Sequence, residues 1–323
     1  MTPDQLLDTI GDYYDSHAEL AHAVLGTRAM HKGYFTGSAD PATYAEAADR
    51  LTRTAGRRLR LGPDHALLDI GSGAGQPAVL LAEETGCSVT GVDATPGQVA
   101  AARRLAAGAA APGRISFETG DARRLPLPAD AFHRALMMEV VSHLPDTAAE
   151  GKAAAFAEAA RCLRPGGLLA VVDMVLPPDE ASGTEAGPSG TEAGSTGTEA
   201  EPTGREAEPW MDDVPSVHLS TRSRLLELLR AAGFEILEVE DLDRYTCHSG
   251  PRTRREFDSR RPGLTDAYGH DAVERVAPVL EQVARADEHL GYVLVTARAR
   301  PRPSGGRRRR PVPRDLGRGE PAS

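Results

Sequence analysis

The chain has 323 residues, 40% hydrophobic and 26% charged, enough for one large domain or two modest ones around a sizeable core. Its formal charge of −10 is unevenly spread: residues 298–323 hold nine Arg against Asp315 and Glu320, which leaves −17 for the rest. An acidic body argues against nucleic acid as the main partner, and no run of about 18 apolar residues offers a membrane span.

Cys87, Cys162 and Cys247 are widely spaced and lack a C-x-x-C pattern, so neither a disulfide framework nor a structural zinc site is expected. This usage suits a reducing cytoplasm. The opening "MTPDQLLDTIGDYYD" is polar and acidic, unlike a secretory leader. Residues 1–62 read as helices broken by "MHKGYFTGSADP", with no strand of their own. They are expected to pack as a lid over the open end of the sheet that follows.

From residue 63 the pattern alternates strand and helix. "ALLDIG" is a buried strand ending in a Gly-rich turn, and "QPAVLLAEET" is a helix with Pro in its first turn, where a missing N–H costs least. "SVTGVD", "PGQVAAARRLAAGAA", "ISFETGD", "FHRALMME", "AAAFAEAARCL" and, after the turn "RPGG", "LLAVVDMV" continue the alternation. Such spacing predicts right-handed βαβ units and a mostly parallel sheet.

Residues 182–209 are four consecutive seven-residue units, SGTEAGP, SGTEAGS, TGTEAEP and TGREAEP. Ala is their only apolar residue, so no coiled-coil seam exists, and with six Glu and one Arg the stretch reads as an acidic insert spanning about 178–212. Beyond it, "STRSRLLELLRAAG" carries helix start and stop signals, "FEILEVEDL" and "GYVLVTARA" are strands, and residues 271–289 are helical with an expected kink or break at Pro278. The Pro/Gly-rich basic stretch 299–323 closes the chain as a tail outside the core.

A strand, a Gly-rich turn and a helix N-terminus together aim backbone N–H groups and the helix dipole at a ligand. Gly71, Gly73 and Gly75 let that ligand approach the backbone, while Gln76 stands where a dinucleotide fingerprint would place its third Gly. Asp93 closes the next strand 20 residues after Gly73, where an acid can hold the ribose hydroxyls of an adenosine. Asp69 precedes the first Gly, where a carboxylate can engage a cationic amino group, and Asp121 follows the third strand, where it can accept from an adenine amine. A ligand with adenosine at one end and ammonium at the other is S-adenosylmethionine. The alternative for these acids is a role as strand-end caps.

The order D-x-G-x-G-x-G (Asp69 to Gly75), Asp93, "GDA" (Gly120 to Ala122) and "LRPGG" resembles the class I S-adenosylmethionine-dependent methyltransferases over about residues 10–180 and 215–298. The resemblance implies an α/β, Rossmann-like, doubly wound, mostly parallel seven-stranded sheet with an antiparallel last strand. It also implies cofactor contacts from Asp69, Gly71, Ser72, Gly73, Gly75, Gln76, Asp93, Ala94, Asp121, Ala122 and Glu139.

Within that family the stretch "MMEVVSHLPD" is similar to small-molecule and sugar O-methyltransferases of bacterial secondary metabolism. This implies His143 as general base, since an imidazole titrates near neutrality, with Asp173 as a second acidic catalytic residue. A His that merely braces its loop is the alternative. "GDYYD" and "MHKGYF" imply Tyr14, His31 and Tyr34 near the acceptor. One departure is Phe132-His133, where the family commonly has Phe-Asp.

No oxygen-ligand set for a metal is visible, so a metal-independent enzyme is expected. The implied activity is base-assisted transfer of a methyl group to a hydroxyl of a small natural product in antibiotic-type biosynthesis. C- or N-methylation, a non-methylating reaction on the same fold, a nicotinamide-dependent dehydrogenase and a non-catalytic subunit remain alternatives. The sequence leaves the acceptor and the oligomeric state open.

Overall fold

The computed structural model describes residues 18–146, 151–177 and 217–301. Tyr14, the whole repeat-containing insert and all but the first three residues of the basic tail lie outside the described residues. Seven strands form one sheet in the order β3-β2-β1-β4-β5-β7-β6. They are β1 (Ala66–Ile70), β2 (Ser88–Asp93), β3 (Ile115–Thr119), β4 (Phe132–Met138), β5 (Leu163–Val175), β6 (Phe234–Asp241) and β7 (Gly291–Ala299). β7 runs antiparallel to β5 and β6, and the β1, β2, β3, β4 and β5 pairings are parallel. Winding reverses at β1, with β2 and β3 added on one side of it and β4 and β5 on the other, so a crevice opens beyond the carboxyl ends of β1 and β4.

Both sheet faces are covered, as parallel strands require. Leu68, Ile70, Met137 and Val171 pack beneath α5 (Lys152–Cys162) and α6 (Arg222–Ala231). Leu67, Leu136, Ala170 and Val172 face α2 (Tyr44–Leu59), α3 (Gln76–Thr85) and α4 (Pro96–Ala107). The strand alternation of side chains thus divides one sheet between two apolar layers. α2 starts with a complete capping box, Thr43 accepting from the Glu46 N–H and Glu46 accepting from that of Thr43.

The expected N-terminal lid does not pack by itself. A helix over residues 18–25 (α1) shares a core with α8 (Ser249–Tyr268) and α9 (His270–His289) through Leu20, Val24, Phe257, Leu264 and Val273. α7 (Asp243–Thr246) is a single turn leading into α8. The cap is therefore built from two distant stretches of chain. α9 is a single helix that contains Pro278, so the proline does not divide it in two. β5 begins earlier than expected, at Leu163, so "RPGG" is drawn into the strand beside an irregular register between Phe132 and Arg134.

Candidate active site

The turn after β1 takes left-handed backbone at Gly71, Gly73 and Gly75, with φ of 72°, 51° and 84°. Their surroundings differ. A Cβ on Gly71 would lie 2.2 Å from Val140 Cγ2, and one on Gly75 would lie 2.7 Å from the Phe117 ring. A Cβ on Gly73 would meet no protein atom within 4 Å. Gly71 and Gly75 are thus compelled by packing, and Gly73 alone presents bare backbone to open space.

That space is a cleft of about 1060 Å³, mouth included, at the switch point of the sheet. Asp69, Gly71, Ser72, Gly73, Asp93, Ala94, Asp121, Ala122, Glu139, His31 and His143 all line it, brought together from β1, β2, β3, β4 and the lid. Asp69 is 2% exposed, and its Oδ2 has no hydrogen-bond partner. Burial, aided by the Asp93 charge, raises its carboxyl to about 7. A cationic ligand group beside it would favour the charged carboxylate and supply the missing partner.

Asp93 folds back on the turn. Its Oδ2 accepts from Gly73 N–H at 2.8 Å and its Oδ1 from Thr95 N–H at 2.9 Å, so the acid that ends β2 also fixes the glycine turn. Burial raises its pKa against these hydrogen bonds. Asp121 accepts from both the backbone N–H and the guanidinium of Arg123, at 2.8–3.0 Å. Gln76 opens α3 but lines a neighbouring polar cleft with Arg28 and Arg104; neither it nor Gly75 is part of the main cleft wall.

Glu139 adopts φ 51°, an uncommon backbone for a non-Gly residue, at the carboxyl end of β4. Its Oε1 accepts from the Lys32 N–H at 2.8 Å and from the Tyr292 hydroxyl at 2.7 Å, joining lid, β4 and β7. Burial is the largest influence and lifts its carboxyl to about 7 despite those donors. Burial likewise lowers His31 to about 4, and both its ring nitrogens are engaged, one with the Lys32 carbonyl and one with Thr52 Oγ1.

His143 closes a 3₁₀ turn over residues 141–143, immediately after β4, and borders the cleft. Asp173 takes a different place from the one expected of a residue touching substrate. It is 1% exposed and absent from the cleft wall; its Oδ2 accepts from Val141 N–H at 2.7 Å and Ser142 N–H at 3.2 Å. It holds the turn that carries His143. Tyr34 is also absent from the cleft wall: its ring stacks on Tyr245 with centroids 4.0 Å apart, and its backbone N–H donates to the Ala47 carbonyl.

Arg28, Met30, Thr95, Gln98, Val140 and Leu144 also line the cleft; Met30, Val140 and Leu144 fall inside the stretches read as site motifs, whereas Arg28, Thr95 and Gln98 fall in none. Among the described residues no group of three or more His, Cys, Asp or Glu is placed to hold a metal ion, and no helix is long and apolar enough to cross a membrane.

A glycine turn at a switch point, an acid ending β2 and an unpartnered buried acid before the first Gly fit an adenosine ligand that also carries an ammonium group. S-adenosylmethionine has both. The family described as "Methyltransferase domain" matches residues 67–167. The chain is 33% identical to the 27-O-demethylrifamycin SV methyltransferase of Amycolatopsis mediterranei, over 90% of this chain and 96% of that one. It is 31% identical to the methyltransferase GfsG of Streptomyces halstedii, over 89% and 93% of the two chains. Among solved structures, the [4+2]-cyclase SpnF superposes with a TM-score of 0.71 at 31% identity, covering 90% of this chain and 96% of that one. The chain belongs to the S-adenosylmethionine-dependent methyltransferases, and S-adenosylmethionine is its cofactor.

Proposed function

We propose that the protein methylates a hydroxyl oxygen of a small natural product, with His143 as the general base. The observation that carries this reading is the placement of His143 in the wall of the cleft that the glycine turn also lines, on a turn braced by Asp173. When bound, the cofactor supplies a methyl carbon activated by its sulfonium, open to in-line displacement by the acceptor oxygen.

The chain's own tasks are then to hold both partners and to receive one proton. Gly73 and Asp93 hold the nucleoside end, and Asp69 and Glu139 offer negative charge to the amino-acid end. His143 takes the hydroxyl proton as the oxygen–carbon bond forms. The lid residues Met30 and His31 keep water from the reacting atoms. The relatives named as O-methyltransferases, with the methyltransferase named for 27-O-demethylrifamycin SV, support oxygen as the acceptor atom.

The test is release of S-adenosylhomocysteine with a panel of hydroxylated macrolactones and ansamycins. His143→Ala should lower kcat by about 10²–10⁴-fold while cofactor affinity stays within about threefold. Unchanged turnover would remove His143 as base. The likeness to a cyclase of this fold favours a second reading, ring formation without methyl transfer. A product that forms with no matching release of S-adenosylhomocysteine would establish it.

A further inference from the structure

Lys152 is the first residue of α5 and is 2% exposed. That is a costly place for an ammonium group, because burial disfavours charge and a helix N-terminus repels cations. A Leu or Met there would fill the same space at less expense, so the charge calls for a reason beyond packing.

Its contacts supply one. Lys152 Nζ donates to the His218 carbonyl, and the His218 N–H donates to the Ser142 carbonyl at 2.6 Å. Ser142 and Val141 in turn donate their N–H groups to Asp173, and the Lys152 N–H donates to the Pro145 carbonyl at 3.0 Å. The turn carrying His143 is therefore gripped from three sides: β5 through Asp173, α5 through Lys152, and the chain re-entering after the insert through His218.

We propose that Lys152 is a positioning residue for methyl transfer, fixing the His143 turn through the main chain of His218 and setting the charge around it with Asp173. This rests on the reading of His143 as the base. Charged and titratable groups reach Lys152 from each neighbouring element: Asp146 from the loop, Asp173 from β5, Arg224 from α6 and His218 from the returning chain. Burial, the largest influence, lowers the Lys152 ammonium to about 8, against the pull of the two carboxylates, so it remains a cation at neutral pH. His218 is pushed down by burial and then by the Lys152 and His143 charges.

The experiment compares the full-length wild type with Lys152→Met and Lys152→Arg, each with S-adenosylhomocysteine, by hydrogen–deuterium exchange and by NMR titration of labelled histidines. The His143 signal is assigned by its loss in His143→Ala. In Lys152→Met, peptides covering residues 139–146 and 217–221 should exchange at least tenfold faster, while those covering 67–76 and 88–95 stay within twofold. The apparent pKa of His143 should shift by at least half a unit, since its turn and the Asp173 charge beside it are no longer held in place. Lys152→Arg should restore both towards wild type.

Unchanged exchange at the turn together with an unchanged His143 titration would overturn the proposal. So would acceleration throughout the sheet, which would mark Lys152 as a general structural residue. If Lys152→Met fails to fold, Lys152→Gln carries the same comparison. None of these readouts depends on turnover. A His143→Ala variant that stays active while Lys152→Met loosens the turn would remove the base and leave the grip intact, so the two claims fail separately.

Discussion

At the scale of single residues, the most informative observation is a pair of buried carboxyls, Asp69 and Glu139, both raised to about 7. A carboxyl with a folded-state pKa above its unfolded value makes the native protein bind protons more tightly than the unfolded chain. Its contribution to stability is complete below about pH 4 and is lost as pH rises through 7. The cofactor-free protein should therefore lose stability between pH 5 and 8, and Asp69→Asn should flatten that slope. At pH 8 the variant should gain roughly 1–3 kcal/mol, because a buried charge without a partner has been removed. It should also bind S-adenosylhomocysteine at least tenfold more weakly, since the ammonium loses its counter-charge. Thermal melts across pH with calorimetric titration at pH 8 would check both; equal slopes in the two proteins would show that Asp69 does not titrate as its burial demands.

At the scale of elements, the glycine turn offers a sharper test because its glycines have separate causes. Gly73→Ala meets no protein atom, so it should cost only the left-handed backbone penalty of about 1–2 kcal/mol. Gly71→Ala adds a collision with Val140 and should cost a further 1–3 kcal/mol or so. Gly73→Ala should nevertheless lose cofactor affinity at least tenfold while melting near the wild type. If both variants melt alike, packing does not distinguish the two positions. Local pattern made β1, the turn, α3 and β2 legible in the sequence, since strand, glycines and acid fall within one unbroken stretch. α8 was not legible: "SGPRTRREFDSRRPGLTDAY" holds two Pro and two Gly and shows no apolar stripe. It is helical because Phe257 and Leu264 have a ready-made surface on α1 and α9. Asp173 and Lys152 show the same limit at the site. The sequence placed Asp173 at a strand end, yet only the register and the turn at residues 141–143 reveal that it grips backbone, and Lys152 meets His218 across 66 residues.

At the scale of the whole molecule, the insert separates α6, β6, β7 and the α8–α9 cap from the strands with which they must assemble. The described ends on either side of it lie together: Leu176 N–H donates to the Ser220 carbonyl at 3.0 Å, and Leu176 bridges to Thr221. The His218 N–H adds its bond to Ser142. The fold thus closes across the insert using residues outside the four heptapeptides. Deleting residues 182–209 should leave the sheet, the cleft and the His143 turn intact. The shorter loop has less entropy to lose, and the logarithmic dependence on loop length puts the gain at about 1 kcal/mol. The melting temperature should rise by roughly 1–3 °C, with affinity for S-adenosylhomocysteine unchanged. A lower melting temperature would mean that the repeat contributes contacts to the folded state. Unchanged melting with lost turnover would instead assign the acidic repeat to the handling of the acceptor, and its six Glu would then be the first residues to neutralise.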